Sequence, residues 1–209
     1  MSSKEATVFV IDDDPDVRDA LQRLLRSAQW NVEAFASAQD FLDAPAIDGS
    51  GCILLDVNMP GMTGPELHDH LRTLGVGLPV IYLTGQCNVS ISVKAMKNGA
   101  IDFLEKPIDA DTLLPAIELA VAKHQESREK NDLLSDINQR LVSLSARERD
   151  VFNLVVLGRL NKQIAGDLGI AEKTVKVHRG RVMSKMKVRS VAQLVHLWEQ
   201  VLPAGKSTS

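Results

Sequence analysis

The chain has two cysteines among 209 residues, no long uninterrupted apolar run and no glycine-rich phosphate loop, and each absence removes a class of protein. Cys52 and Cys87 have no second cysteine or nearby histidine at ligand spacing, which argues against a disulfide framework or a zinc site and leaves a buried, inert thiol as the reading for each. A bilayer-spanning helix needs roughly 18 or more consecutive apolar residues, and none are found. The opening MSSKEATVFVIDDD carries acids where a secretory signal would place its apolar stretch, so a cytoplasmic location without membrane contact is expected. Neither a Walker-type loop nor a dinucleotide fingerprint occurs, which disfavours nucleotide binding. What is present is the composition of a globular protein, 44% hydrophobic and 24% charged. The length suits one large domain or two small ones.

The formal net charge of −3 hides a polar molecule. Residues 1–125 hold 9 Lys/Arg against 18 Asp/Glu, a net of −9, while residues 142–209 hold 12 against 5, a net of +7. The acidic half suits a divalent cation and the basic end a polyanion. A chance asymmetry of solvated faces is the plain alternative until motifs are read.

Four short apolar stretches in the first half predict buried parallel strands: Thr7 to Ile11, Cys52 to Leu55, Pro79 to Leu83 and Ile101 to Leu104. A further strand is expected from Asn31 to Phe35. Between them run helical stripes: Val17, Leu21, Leu24 and Leu25; Leu67, Leu71 and Leu74; Val89, Val93 and Met96. Phe41 and Leu42 fit a shorter helix. The last helix, from about Asp111 through Val121, contains Pro115, which either marks its first turns or kinks it. This alternation predicts an α/β fold, a five-stranded parallel, doubly wound, flavodoxin-like sheet whose sites form beyond the C-terminal strand ends. After a polar stretch, Leu134, Ile137, Leu141 and Leu144 form a narrow seam on a linker helix that docks on a domain or pairs with its twin.

From Ser145 onward the strands disappear. Ser145 and Glu148 form a capping box, and four short helices are expected, from about Ser145 to Gly158, Asn161 to Leu168, Ala171 past Met183, and Ser190 to Val201. The predicted organisation is a first domain over 1–122, a helical linker over 123–142 and an all-α, four-helix domain over 143–209.

At the strand ends sit Asp12, Asp13 and Asp56. Taken alone, Asp12 and Asp13 are also plausible helix caps ahead of Pro15. Together the three carboxylates raise one another's pKa unless a cation neutralises them, and a hard ion such as Mg²⁺ or Mn²⁺ does so with carboxylates, a backbone carbonyl and waters. The carbonyl of Asn58, in the turn VNMPG, is placed to contribute. Thr84 supplies a hydroxyl and Lys106 an ammonium at further strand ends. A nucleophilic carboxylate, a metal and a lysine together suit phosphoryl transfer. Lys106 precedes Pro107, a candidate cis bond.

VIDDDPDVR, LLDVNMPGMTG, YLTG and MKNGAIDFLEKP resemble the receiver family of two-component response regulators, over residues 6 to about 122. The resemblance implies that Asp56 accepts a phosphoryl group from a sensor histidine kinase, that Asp13 binds Mg²⁺ directly with Asp12 assisting through water, and that Asn58 lends its carbonyl. It further implies that Thr84 and Lys106 contact the phosphate, that the Phe103 rotamer follows Thr84, and that the protein is a stoichiometric phosphoacceptor with slow autodephosphorylation rather than an enzyme. Gly85-Gln86-Cys87-Asn88 departs from the Ala-His-Gly usual after the threonine in close relatives.

NKQIAGDLGIAEKTVKVHRGRVMSKM contains two helical patterns around a Gly-Ile turn, a helix-turn-helix signature. Ile164, Ala165 and Leu168 face inward on its first helix and Val175 and Val182 on its second. Lys173, Thr174, Lys176, Arg179, Arg181 and Lys185, with Asn161, are the candidate DNA contacts, some at base edges and the rest at phosphates. His178 joins them or stays a hydrogen-bonded histidine of the domain. The segment 141–203 resembles the LuxR/NarL helix-turn-helix family, and the whole chain the FixJ-like subgroup, with Gly180 where some members carry a DNA-contacting lysine. That resemblance implies a homodimer, formed on phosphorylation, on an imperfect inverted repeat of promoter DNA, and contact with RNA polymerase. Two rivals remain: a DNA-binding regulator whose dimerisation ignores phosphorylation, and a metal-dependent hydrolase. Against the second, Asp56-Val57-Asn58 lacks the acid two residues after the nucleophile.

Overall fold

A computed structural model describes residues 6–45, 49–85 and 99–201. The chain divides into two compact units, Met1–Arg128 and Glu129–Ser209. The helical stripe at Val89, Val93 and Met96, and Cys87, lie outside the described residues.

In the first unit, β1 (Thr7–Ile11), β2 (Asn31–Phe35), β3 (Gly51–Asp56), β4 (Val80–Thr84) and β5 (Asp102–Glu105) form one sheet. Its order is β2-β1-β3-β4-β5, and every pairing is parallel. The strands start and stop within one residue or so of the positions their apolar runs predict. Every residue of β3 and β4 is buried, as strands covered on both faces must be. One face packs α1 (Pro15–Ser27), through Leu21 and Leu25, and α4 (Ala110–Val142), through Leu113, Ile117 and Ala120, against Val8, Val10, Leu54 and Ile81. The other packs α2 (Ala38–Leu42) and α3 (Gly64–Thr73), through Phe41, Leu67 and Leu71, against Phe9, Ile53, Leu55 and Tyr82. Alternating residues of each strand therefore feed two separate cores.

The last strand leads through a cis Lys106–Pro107 bond into α4. This helix continues unbroken over 33 residues, where the sequence suggested a helix ending near Val121 and a separate linker. The polar stretch 123–132 holds neither glycine nor proline and is rich in Lys, Glu, Gln and Arg, which lose little side-chain freedom in a helix. Pro115 stands in the second turn of α4.

The second unit closes around one core. Ile137 and Leu141 of α4, and Leu144, pack with α5 (Ala146–Val156), α6 (Asn161–Leu168), α7 (Glu172–Lys185) and α8 (Val191–Val201). Val151, Phe152, Ile164, Val175, Val182 and Leu194 fill its centre, and Phe152 meets Trp198 edge to face at 5.3 Å. α6 ends on Gly169, whose φ of 63° lies in the left-handed region that a side chain disfavours; this lets the chain turn at once into α7.

Candidate functional site

The parallel sheet brings Asp12, just past β1, beside Asp56, the last residue of β3, because those strands are neighbours in register. Lys106, just past β5, reaches across to both. Its Nζ lies 2.5 Å from Asp12 Oδ2 and 2.6 Å from Asp56 Oδ1. Both acids are buried, whereas Asp13 is exposed beside them. The Asn58 N–H donates to Asp56 Oδ2 at 2.7 Å and the Asp14 N–H to Asp12 Oδ1 at 3.1 Å. Arg18 on α1, which the sequence reading did not single out, donates to the Asp12 carbonyl oxygen at 2.7 Å and so pins the loop that carries Asp12 and Asp13. Its position one turn into α1 gave a signal only for an exposed helix face.

Two buried carboxylates share one ammonium here, and the pKa shifts follow. Burial pushes the Asp12 carboxyl up despite the Lys106 hydrogen bond, and Asp56 adds to the rise. For Lys106, burial acts downward, but hydrogen bonds to Asp12 and Asp56 outweigh it and hold the ammonium above its ordinary value. Gly64 opens α3 against this strand end: a Cβ there would lie 2.2 Å from the Asp56 carbonyl oxygen, so only glycine allows the approach.

Thr84 is buried at the end of β4, and its carbonyl accepts the Lys106 N–H at 2.7 Å. Phe103 pairs in register with Tyr82, their rings 6.1 Å apart, and is half-buried. The pocket thus brings together Asp12, Asp56, Thr84 and Lys106, with Asp13 and Asn58 at its edge. Its donors are hard oxygens of the kind Mg²⁺ or Mn²⁺ prefers. Among the described residues, no cluster of three or more His, Cys, Asp or Glu side chains stands in ligating array, and Lys106 lies between the two buried carboxylates.

In the helical unit, Val175 and Val182 anchor α7 in the core, which turns Lys173, Thr174, Lys176 and Arg181 to solvent. The Arg179 guanidinium donates to Asn161 Oδ1 at 2.8 Å, tying two of the candidate contacts to each other. Lys185 is placed differently. Its Nζ lies 2.6 Å from Glu148 Oε2 and 2.9 Å from the Ser143 carbonyl oxygen, so its charge is engaged inside the unit. Glu148 is the capping-box residue; it accepts the Ser145 N–H at 2.9 Å, and the Lys185 hydrogen bond with that cap holds its carboxyl down at about 2. Val177, which the sequence reading passed over, is 48% exposed beside Lys173 and Lys176. An apolar group there is a means of touching a thymine methyl; the charge pattern drew attention away from it.

Comparisons with known proteins agree with this layout. Residues 8–118 match the response regulator receiver domain family, and residues 142–198 match the bacterial regulatory proteins of the luxR family. The chain is 43% identical over 203 residues to the transcriptional regulatory protein FixJ of Azorhizobium caulinodans, covering 96% of each. It is 40% identical over 198 residues to nodulation protein W of Bradyrhizobium diazoefficiens, covering 95% of this chain and 87% of that protein. Among solved structures, the response regulator StyR aligns with a TM-score of 0.88 at 46% identity, over 94% of this chain and 99% of that one. Full-length FixJ from B. japonicum aligns with a TM-score of 0.59 at 40% identity, over 96% and 98%. With an aspartate pocket at the strand ends, a helix-turn-helix later in the chain and matches across both, the chain belongs to the FixJ-like response regulators of two-component signalling, which join a stoichiometric phosphoacceptor receiver to a LuxR-type DNA-binding domain.

Proposed function

We propose that Asp56 is the phosphoacceptor, and that its phosphorylation by a sensor histidine kinase controls dimerisation and promoter binding. The observation that carries this reading is the buried Asp56 carboxylate, whose Oδ1 shares the Lys106 ammonium with Asp12 at 2.6 and 2.5 Å. In the transfer, an Asp56 oxygen attacks phosphorus. The P–N bond to the kinase imidazole breaks, its electron pair stays on the ring, and a P–O bond forms. Asp12, Asp13, Asp56 and the Asn58 carbonyl would hold Mg²⁺ or Mn²⁺, which when bound neutralises phosphoryl oxygens.

Lys106 then exchanges a carboxylate for a phosphoryl oxygen, and the Thr84 hydroxyl donates to another. Phosphorylation replaces one negative charge with about two. As Thr84 and Lys106 follow that charge, space opens that the Phe103 ring fills, and the surface around β5 and α4 changes its preferred partner. Two helical units then present their α7 helices to adjacent major grooves of an inverted repeat, with Lys173, Thr174, Lys176, Arg179, Arg181 and Asn161 as the contact set, Lys185 being held back by Glu148, and RNA polymerase as the downstream partner.

Incubation with acetyl phosphate and Mg²⁺, read by intact mass, tests the first step. The parent should gain one phosphoryl group and Asp56→Asn none. Sedimentation and titration of promoter fragments test the second: equal self-association and equal DNA affinity with and without phosphate would overturn the switch.

A further inference from the structure

The receiver has a second concavity at the opposite end of its sheet from Asp56. It opens where Leu78 leads into β4 and Ile101 into β5, and is flanked by the end of α3 and by α4. Its volume of about 310 Å³ is at the small end of the range for small-molecule sites.

The lining has one sign of charge. Arg72 and Lys123 stand at it, and no Asp or Glu lines it among the described residues. Arg72 meets Asp69 at 3.6 Å, but both side chains are more than half exposed, so this solvent-screened pair leaves the guanidinium available. Two buried histidines lie deeper. The Gly51 N–H donates to His124 Nδ1 at 3.2 Å, which leaves Nε2 to carry the proton and act as a donor. His68 is tied through Nδ1 to the Tyr82 hydroxyl at 3.0 Å. Burial holds both imidazoles below their ordinary range, so at neutral pH they are uncharged donors rather than cations. Val76 and Leu78 supply an apolar wall. A divalent metal is disfavoured by the guanidinium and ammonium, and among the described residues no third ligand joins the two histidines.

We propose that this pocket binds a small organic carboxylate with an apolar body. The carboxylate meets the Arg72 fork and the Lys123 ammonium, the former able to bind it through two parallel hydrogen bonds, while the His124 Nε2–H donates to it and the body lies on Val76 and Leu78. The proposal is independent of the phosphoacceptor reading, because nothing in it uses Asp56.

The test is a titration of the full-length protein, labelled with ¹⁵N-histidine, against benzoate, acetate and inorganic phosphate, following the His68 and His124 ring signals. Benzoate should shift both saturably and acetate more weakly. Arg72→Gln/Lys123→Gln, a pair at the exposed rim, should weaken benzoate at least about tenfold, and Asp56→Asn should leave it unchanged. The proposal is overturned if benzoate does not saturate below about 10 mM, if the double variant binds as the parent does, or if phosphate binds more tightly than benzoate.

Discussion

In the receiver, one lysine serves two buried carboxylates; in the helical unit, one lysine serves one. Lys106 divides itself between Asp12 and Asp56, with Asp13 exposed alongside, so negative charge is left over where the strands end. Lys185 neutralises Glu148, whose Oε2 also accepts the Ser145 N–H. Both arrangements hold a long cation on a buried acid, and geometry alone does not separate them. The charge balance does: a surplus leaves a site that stabilises an incoming cation or a transferring group, whereas a closed balance fastens helices together.

Removing each lysine's partnership should expose that contrast. The two tryptophans report the units separately, Trp30 in the first and Trp198 in the second, so urea unfolding in Trp198→Phe and Trp30→Phe backgrounds reads one unit at a time. The largest effect is expected from Lys106→Met, which strands two buried carboxylates. The Trp30 transition should lose about 3 kcal/mol, and millimolar Mg²⁺ should restore part of it, while the Trp198 transition stays in place. Unchanged Trp30 unfolding would mean that the two acids do not need the ammonium.

Glu148→Gln should act on the Trp198 transition alone and by less. Its pH signature is distinctive. The Glu148 carboxyl is lowered from 4.5 to about 2 in the fold, so its stabilisation is complete above 4.5 and is lost as pH falls through about 2. Asp12 is raised above 3.8, so its contribution favours the fold in acid and fades as pH rises through the shifted value. Acidification therefore weakens the helical unit at one site and relieves the receiver at the other. Parent and Glu148→Gln stabilities should converge between pH 4.5 and 2; parallel curves would deny the clasp. The smallest effect belongs to Glu172→Gln. Its 3.8 Å pair with Lys176 is exposed on both sides, and its loss should change Trp198 unfolding by no more than about 0.5 kcal/mol.

The convergence of the receiver's candidate residues was legible because three of them stand at the ends of apolar runs. TVFVI stops at Asp12, CILL at Asp56, and PVIYL at Thr84, and parallel strands place those stops at one edge. The capping box of Ser145 and Glu148 was legible for the same local reason. Contacts across the fold were not. Lys185 meets Glu148 over 37 residues and Arg179 meets Asn161 over 18, and nothing in either local pattern announces the partner. The unbroken α4 was obscured by the fall in hydrophobicity after Val121, which marks a change of surroundings rather than an end to helical hydrogen bonding.

The Lys185 tether also limits how many ions the helical unit exchanges when it meets a duplex. Counterions leave DNA only as phosphates are neutralised by cations that were free beforehand, and the slope of log affinity against log salt counts those cations. A side chain already saturated by Glu148 contributes nothing to that count, so the slope should fall short of what the basic residues suggest and steepen by about one when the clasp is opened.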